Sequence, residues 1–152
     1  MLYLEDLHEG DRATLGPIEV SREDALDFAR KYDPQPFHLD DEAAAAHPFF
    51  KRLAISGWQT CALAMRLIVD DMRAKDAQSL GSPGIDQIRW LRPVYPGDLL
   101  MLEAETLQVR RSRSRPGMGT VKRAWTMRNQ DGEAVMTMEG MGLFAARGDV
   151  PG

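Results

Sequence analysis

At 152 residues the chain is sized for one domain with a substantial core. Its hydrophobic fraction of 43% and charged fraction of 28% are ordinary for a globular protein, and a formal net charge of −4 argues against a general nucleic-acid binder. A single cysteine, Cys61, excludes an internal disulfide and a cysteine-rich zinc site, and it fits a reducing cytoplasm.

Residues 1–6 lack a basic stretch followed by an apolar core, so no signal peptide is expected. No apolar run approaches the roughly 18 residues that cross a bilayer, so no membrane partner is expected either. Residues 13–20 read as a short strand. Ser21 then caps a helix with acids in its first turn, and Ala25, Phe28, Ala29 and Tyr32 recur at helical spacing, which turns one face inward. That helix must stop before Pro34. Asp40 is suited to cap a second short helix over 41–46, ended by Pro48.

Between the two lies Tyr32-Asp33-Pro34-Gln35-Pro36-Phe37-His38-Leu39-Asp40. Pro34 and Pro36 fix their own φ angles and push Asp33 and Gln35 out of the helical region, which predicts a stiff, extended, non-helical connector. A carboxylate and an imidazole held rigidly near one another make a competent acid–base pair, because imidazole titrates near neutral pH and the carboxylate can orient it or share a water with it. Viewed alone, the segment also fits a proline-rich loop with an ordinary histidine.

Residues 61–69 carry one charge, Arg66, and charges return from Asp70 onward. A helix apolar nearly all round must be surrounded by protein, so its first half is expected to be buried. Ser56-Gly57 opens it, and Gly57 permits close approach to the backbone. Strands are expected over 85–91, 99–109, 120–128 and 134–145, with Asp131-Gly132 in a hairpin turn. Gly140 and Gly142 in the last strand imply a close neighbour, for which the apolar helix is the expected tenant. The order predicts an α+β fold: a curled antiparallel sheet of about five strands wrapped around a long buried central helix.

At this point the sequence resembles the hotdog-fold family of MaoC-like dehydratases, which includes the (R)-specific enoyl-CoA hydratases. Asp33, Gln35, Pro36 and His38 fall on the family's Asp-x-Asn-Pro-x-His motif, Ala54-Ile55-Ser56-Gly57 on its helix start, and Arg92-Pro93-Val94 with Gly97-Asp98 on its strand-to-strand turn. Gln35 stands where hydratases usually have Asn, and Ser56 where many relatives have His. The likeness spans most of the chain, as one MaoC-like hotdog domain over 1–152.

The resemblance implies a hydro-lyase of fatty acid metabolism. It would add water reversibly to a trans-2-enoyl-CoA, giving an (R)-3-hydroxyacyl-CoA, with Asp33, His38 and the Gly57 N–H as catalytic groups. Gln35, Pro36, Phe37, Ser56 and Trp58 would contact substrate. No metal and no cofactor are implied beyond the coenzyme A of the substrate thioester, and a cytoplasmic homodimer or higher homo-oligomer is expected. Two alternatives stay open: a hotdog acyl-CoA thioesterase, or a non-catalytic acyl-CoA-binding hotdog protein.

Other residues invite weighing. Arg111 and Arg113, in the basic run 110–115, could clamp coenzyme A phosphates, although charge blocks are more often solvated turns. His47 reads as a helix-end cation and His8 as a surface residue. Cys61 has apolar neighbours and reads as packing. Trp58, Met65, Ile68 and Met72 form a helical stripe that suits a core or the lining of an acyl tunnel, and Met136, Met138 and Met141 read the same way.

Overall fold

The alternation of apolar and polar residues in the second half of the chain builds one antiparallel sheet, described here by a computed structural model covering residues 1–148. The strands are β1 (Arg12–Glu19), β2 (Ser79–Trp90), β3 (Leu99–Arg111), β4 (Met118–Arg128) and β5 (Ala134–Ala145), in the spatial order β1-β3-β4-β5-β2. All four neighbouring pairs are antiparallel, which leaves β1 and β2 as the edges. The helices are α1 (Arg22–Tyr32), α2 (Pro36–Leu39), α3 (Asp41–Ala46) and α4 (Gly57–Ala74), with a 3-10 turn over Leu4–Asp6. None is long and apolar enough to cross a membrane.

The inward registers of the central strands form the core. Leu100 and Leu102 of β3, Met127 of β4 and Met136 of β5 are fully buried, and they pack in one cluster with Ile55, Ala64, Leu67 and Ile68 from and just before α4. Removing a side chain such as Leu102 to Ala would cost about 2–5 kcal/mol, because a rigid core closes only partly over the gap.

Four expectations change. β2 begins at Ser79, well before residue 85, because Gly81 and Gly84 sit at irregularities in its pairing with β5 rather than ending it. The connector after α1 is extended only as far as Gln35; Pro36–Leu39 then makes one helical turn. Gln35 obeys the restriction on residues before proline (φ −75°, ψ 142°), but Pro36 at the first helical position loses nothing, since its N–H would have been unpaired there anyway. Helix α4 is not enclosed by its own chain: Trp58 is 58% exposed and Met65 49%. Finally, α4 is not the close neighbour of the β5 glycines. A Cβ on Gly140 would meet Ile85 of the adjacent strand at 2.7 Å, and one on Gly142 would meet the Phe144 ring at 3.2 Å.

Candidate active site

Helix α1 is started by Ser21, whose hydroxyl accepts the Asp24 N–H at 2.9 Å, and it ends at Asp33, whose N–H still reaches Ala29 O at 3.0 Å. The two prolines then turn the chain so that α2 points the His38 ring back toward Asp33. Asp40 starts α3 by accepting the Ala43 N–H at 3.0 Å, and an Arg22–Asp41 pair at 2.6 Å ties α3 to α1. A third segment, residues 47–56, runs beneath. It is pinned by Ile55 N–H to Val94 O (2.8 Å) and by the Tyr95 hydroxyl to Phe50 O (2.6 Å). The turn carrying Val94 and Asp98 therefore acts as an anchor for the loop before α4.

These segments converge on Asp33. Its Oδ2 accepts from the Ser56 hydroxyl at 2.7 Å, its Oδ1 accepts from the Gln35 amide at 2.7 Å, and Oδ2 lies 3.4 Å from His38 Nε2. Burial is the largest influence on the carboxyl and raises its pKa. The Ser56 and Gln35 hydrogen bonds, with the positive charge that His38 bears when protonated, together outweigh burial and hold it below the ordinary value of 3.8. Asp33 is therefore ionised at neutral pH.

His38 is 4% exposed. Its Nδ1 lies 2.7 Å from Ala54 O, and a carbonyl only accepts, so Nδ1 carries the proton. In the neutral ring Nε2 is then a bare lone pair facing a carboxylate oxygen. Two acceptors 3.4 Å apart do not bond to each other, but a water beside them can donate one O–H to each. Phe37 meets the His38 ring edge-on at 4.6 Å, and Phe50 lies 5.7 Å from it. His47 stacks on Phe50, with its Nδ1 accepting the Phe49 and Phe50 N–H groups, so it serves the loop as an acceptor rather than as a helix-end cation.

Ser56 has a second task. Its hydroxyl also accepts the Trp58 N–H at 3.3 Å, making it the cap of α4. Beside it, the Gly57 N–H has no acceptor among the described residues and points from the positive end of an 18-residue helix. The close approach that Gly57 permits is made by Trp90. A Cβ here would lie 2.5 Å from the indole, whose Nε1 donates to Gly57 O at 3.0 Å. Trp58 meets the Trp90 ring at 5.1 Å. Beyond Trp58, an apolar cavity of about 400 Å³ runs between α4 and the sheet, and Trp58, Met65, Ile68 and Met72 all line it, with Met138 and Met141 opposite. Met136 belongs instead to the closed core. Cys61 also faces the cavity; burial pushes its thiol up.

The carboxylate, the imidazole, Gln35, Phe37, Ser56 and Gly57 are thus brought together, with Pro36 starting the helical turn that aims His38. Arg111 and Arg113 are not. They sit at the far end of β3, about 30 Å along the strand from Leu102, whose level is that of Trp90. Arg111 is occupied by Glu5 at 3.3 Å and by Pro116 O at 2.8 Å. The Ala54 carbonyl and Trp90 escape a sequence reading, since a backbone acceptor has no residue signature. Gly57 was the one available signal that something must pack on its backbone.

A family model described as the MaoC like domain matches residues 5–127. The chain belongs to the MaoC-like dehydratase domain family. The MaoC-like dehydratase from Rhodospirillum rubrum superposes on it with a TM-score of 0.87 at 36% identity, over 98% of this chain and 100% of the other. The uncharacterized protein YdeM of Bacillus subtilis (strain 168) is 32% identical over 117 residues, which is 73% of this chain and 82% of that one. An (R)-hydratase from A. caviae involved in PHA biosynthesis superposes with a TM-score of 0.69 at 24% identity, over 91% of this chain and 97% of the other, a likeness of fold. The five-stranded sheet and long helix of this MaoC-like domain are the hotdog fold of those structures.

Proposed function

We propose that this MaoC-like domain adds water reversibly across a trans-2-enoyl thioester of coenzyme A, giving the (R)-3-hydroxyacyl product. The observation that carries this reading is the placement of the His38 ring, with Nδ1 2.7 Å from Ala54 O and Nε2 3.4 Å from Asp33 Oδ2. With Nδ1 committed to Ala54 O, Nε2 of the neutral ring and Asp33 Oδ2 can accept from one water, beside an N–H at a helix start that has no acceptor among the described residues. In this reading the thioester oxygen takes the Gly57 N–H, which favours negative charge building on that oxygen. The water oxygen bonds to the β-carbon while the Asp33–His38 pair removes a proton from it. The electron pair of the double bond moves toward the carbonyl, and the α-carbon then takes a proton from the same pair. Dehydration runs the steps backward. Which of the two groups holds the proton at each stage belongs to the coupled pair. Water is the only co-reactant this needs.

The exposed edge supports a homodimer. Strand β2 is unpaired on one side, and Leu80, Ile85 and Trp90 on it are at least 42% exposed, next to the uncovered Trp58 and Met65 of α4. A second copy adding its own β2 would pair the free backbone groups and cover that apolar face. In such a dimer Arg111 and Arg113 of one chain could serve the site of the other.

The test follows loss of enoyl absorbance across a panel of trans-2-enoyl-CoA thioesters, with free thiol measured in the same samples. Loss without thiol release, reduced about 10²–10⁴-fold by Asp33→Asn and by His38→Ala, is the expected result. Thiol release would make it a thioesterase. Binding without turnover would make it an acyl-CoA-binding protein.

A further inference from the structure

The inward register of β4 reads Gly119, Val121, Arg123, Trp125, Met127. Four of the five are buried; Arg123, half-buried, is the exception and the one charged residue of the five. Its desolvation lowers the guanidinium pKa, and the charges of Asp71 and Asp11 pull it back only in part. Neither carboxylate bonds to it. Asp71 is paired with Lys75 at 2.9 Å, and Asp11 accepts the His8 N–H at 2.8 Å. Among the described residues the Arg123 side chain makes no hydrogen bond and has no carboxylate within 4 Å; its guanidinium carbon lies 5.5 Å from the centre of the Phe144 ring. A guanidinium carried into a protein interior is costly unless paired, and Met or Leu in its place would remove that cost.

Among the described residues Arg123 is also the only charged side chain lining the apolar cavity beside α4, and it borders a second, polar cavity of about 250 Å³ shared with Asp6, Asp11, Asp71 and Lys75. The neighbouring strand β5 places glycines beside it, with Ile85 reaching over Gly140 and the Phe144 ring over Gly142. The partner of Arg123 on β5 is Gly140, and the next inward pair along is Val121 with Gly142. Trp58, the residue after Gly57, lines the cavity, and Arg123 shares its wall with Ile68 and Met72 further along the helix. Two rulers give the separation. Gly57 lies against Trp90, which is level with Met127 through Met136, and from Met127 to Arg123 is about 13 Å along β4. From Gly57 to Ile68 along α4 is about 16 Å.

We propose that this cavity takes an acyl chain that ends in a carboxylate, with Arg123 pairing the terminal carboxylate while the thioester sits at Gly57. The substrate class would then be ω-carboxyl acyl thioesters with a chain on the order of ten carbons, from the two rulers. The planar guanidinium fork matches a carboxylate in a way that a methyl end cannot, and the apolar walls strengthen the pairing by excluding water. This inference rests on the thioester reading of the same site.

Calorimetric binding of two unreactive ligands tests it without any turnover: decanoyl-CoA and the mono-CoA thioester of decanedioic acid. The wild-type protein should bind the dioic thioester about tenfold or more tightly. Arg123→Met should abolish or reverse that preference while keeping affinity for decanoyl-CoA, and Arg123→Lys should retain part of it. Equal affinities, or tighter binding of decanoyl-CoA by the wild type, would overturn the proposal even if every variant failed to fold. Turnover of the matching trans-2-enoyl thioesters is followed separately. No turnover with the dioic preference intact would sink the hydratase reading alone, turnover with no preference would sink this inference alone, and binding of neither thioester would sink both.

Discussion

Replacing Ser56 by alanine removes one oxygen that serves two elements at once. The hydroxyl donates to Asp33 Oδ2 at 2.7 Å and accepts the Trp58 N–H at the start of α4. A hydrogen bond to a charged, partly buried carboxylate is worth about 1.5–3 kcal/mol, and a lost helix cap about 1 kcal/mol. Because the same atom makes both contacts the losses overlap, so Ser56→Ala should cost about 2–3 kcal/mol in total. For a domain of this size that lowers Tm by about 4–12 °C. The effect also has a definite pH signature. The folded-state pKa of Asp33 lies below 3.8, so its contribution is complete above that value and is lost as pH falls through the depressed folded-state pKa. Without Ser56 the raising effect of burial meets less opposition and the carboxyl titrates higher. The Tm gap between wild type and Ser56→Ala should therefore be widest at neutral pH and shrink below about pH 4. On the proposed activity, kcat should fall about tenfold with KM little changed, because the pair's aim is lost rather than substrate contact. Thermal melts from pH 3 to 8 with steady-state kinetics at neutral pH provide the assay. A variant that melts within about 1 °C of wild type at every pH would refute the claim that this hydroxyl holds the carboxylate.

Gly57→Ala places a Cβ inside the Trp90 indole and should cost about 1–3 kcal/mol while displacing the ring, which a change in tryptophan emission would register; unchanged emission and melting would contradict the packing described. Ile85→Lys puts a charge on the open β2 edge, and sedimentation should find the wild type at twice the chain mass and the variant as a monomer. If Arg111 and Arg113 of a partner grip coenzyme A phosphates, the double Ala variant should raise KM several-fold for coenzyme A thioesters and leave pantetheine thioesters unchanged. Equal effects on both would remove them from the site.

Much of this protein is legible in the chain because local rules there agree with the global fold. Ser21 and Asp40 start helices where capping chemistry says they should, β5 occupies residues 134–145 as its alternation requires, and Asp33 and His38 stand out because two prolines make their connector stiff. The proline pattern departs from the fold at α2: the rule that bars helix before a proline says nothing against a helix starting on one, and α2 does so. What the tertiary structure alone decided is everything carried by contacts distant in sequence. The Ala54 carbonyl sets the His38 tautomer from 16 residues away, Ser56 bonds Asp33 across 23, and Trp90 covers Gly57 across 33. The same holds for Arg123. Its place in the inward register follows from period-two alternation, but only the packing of α4 over β4 and β5 leaves it beside a cavity without a carboxylate partner among the described residues. Periodicity determines which face a side chain takes; what waits on that face depends on where the rest of the chain has packed.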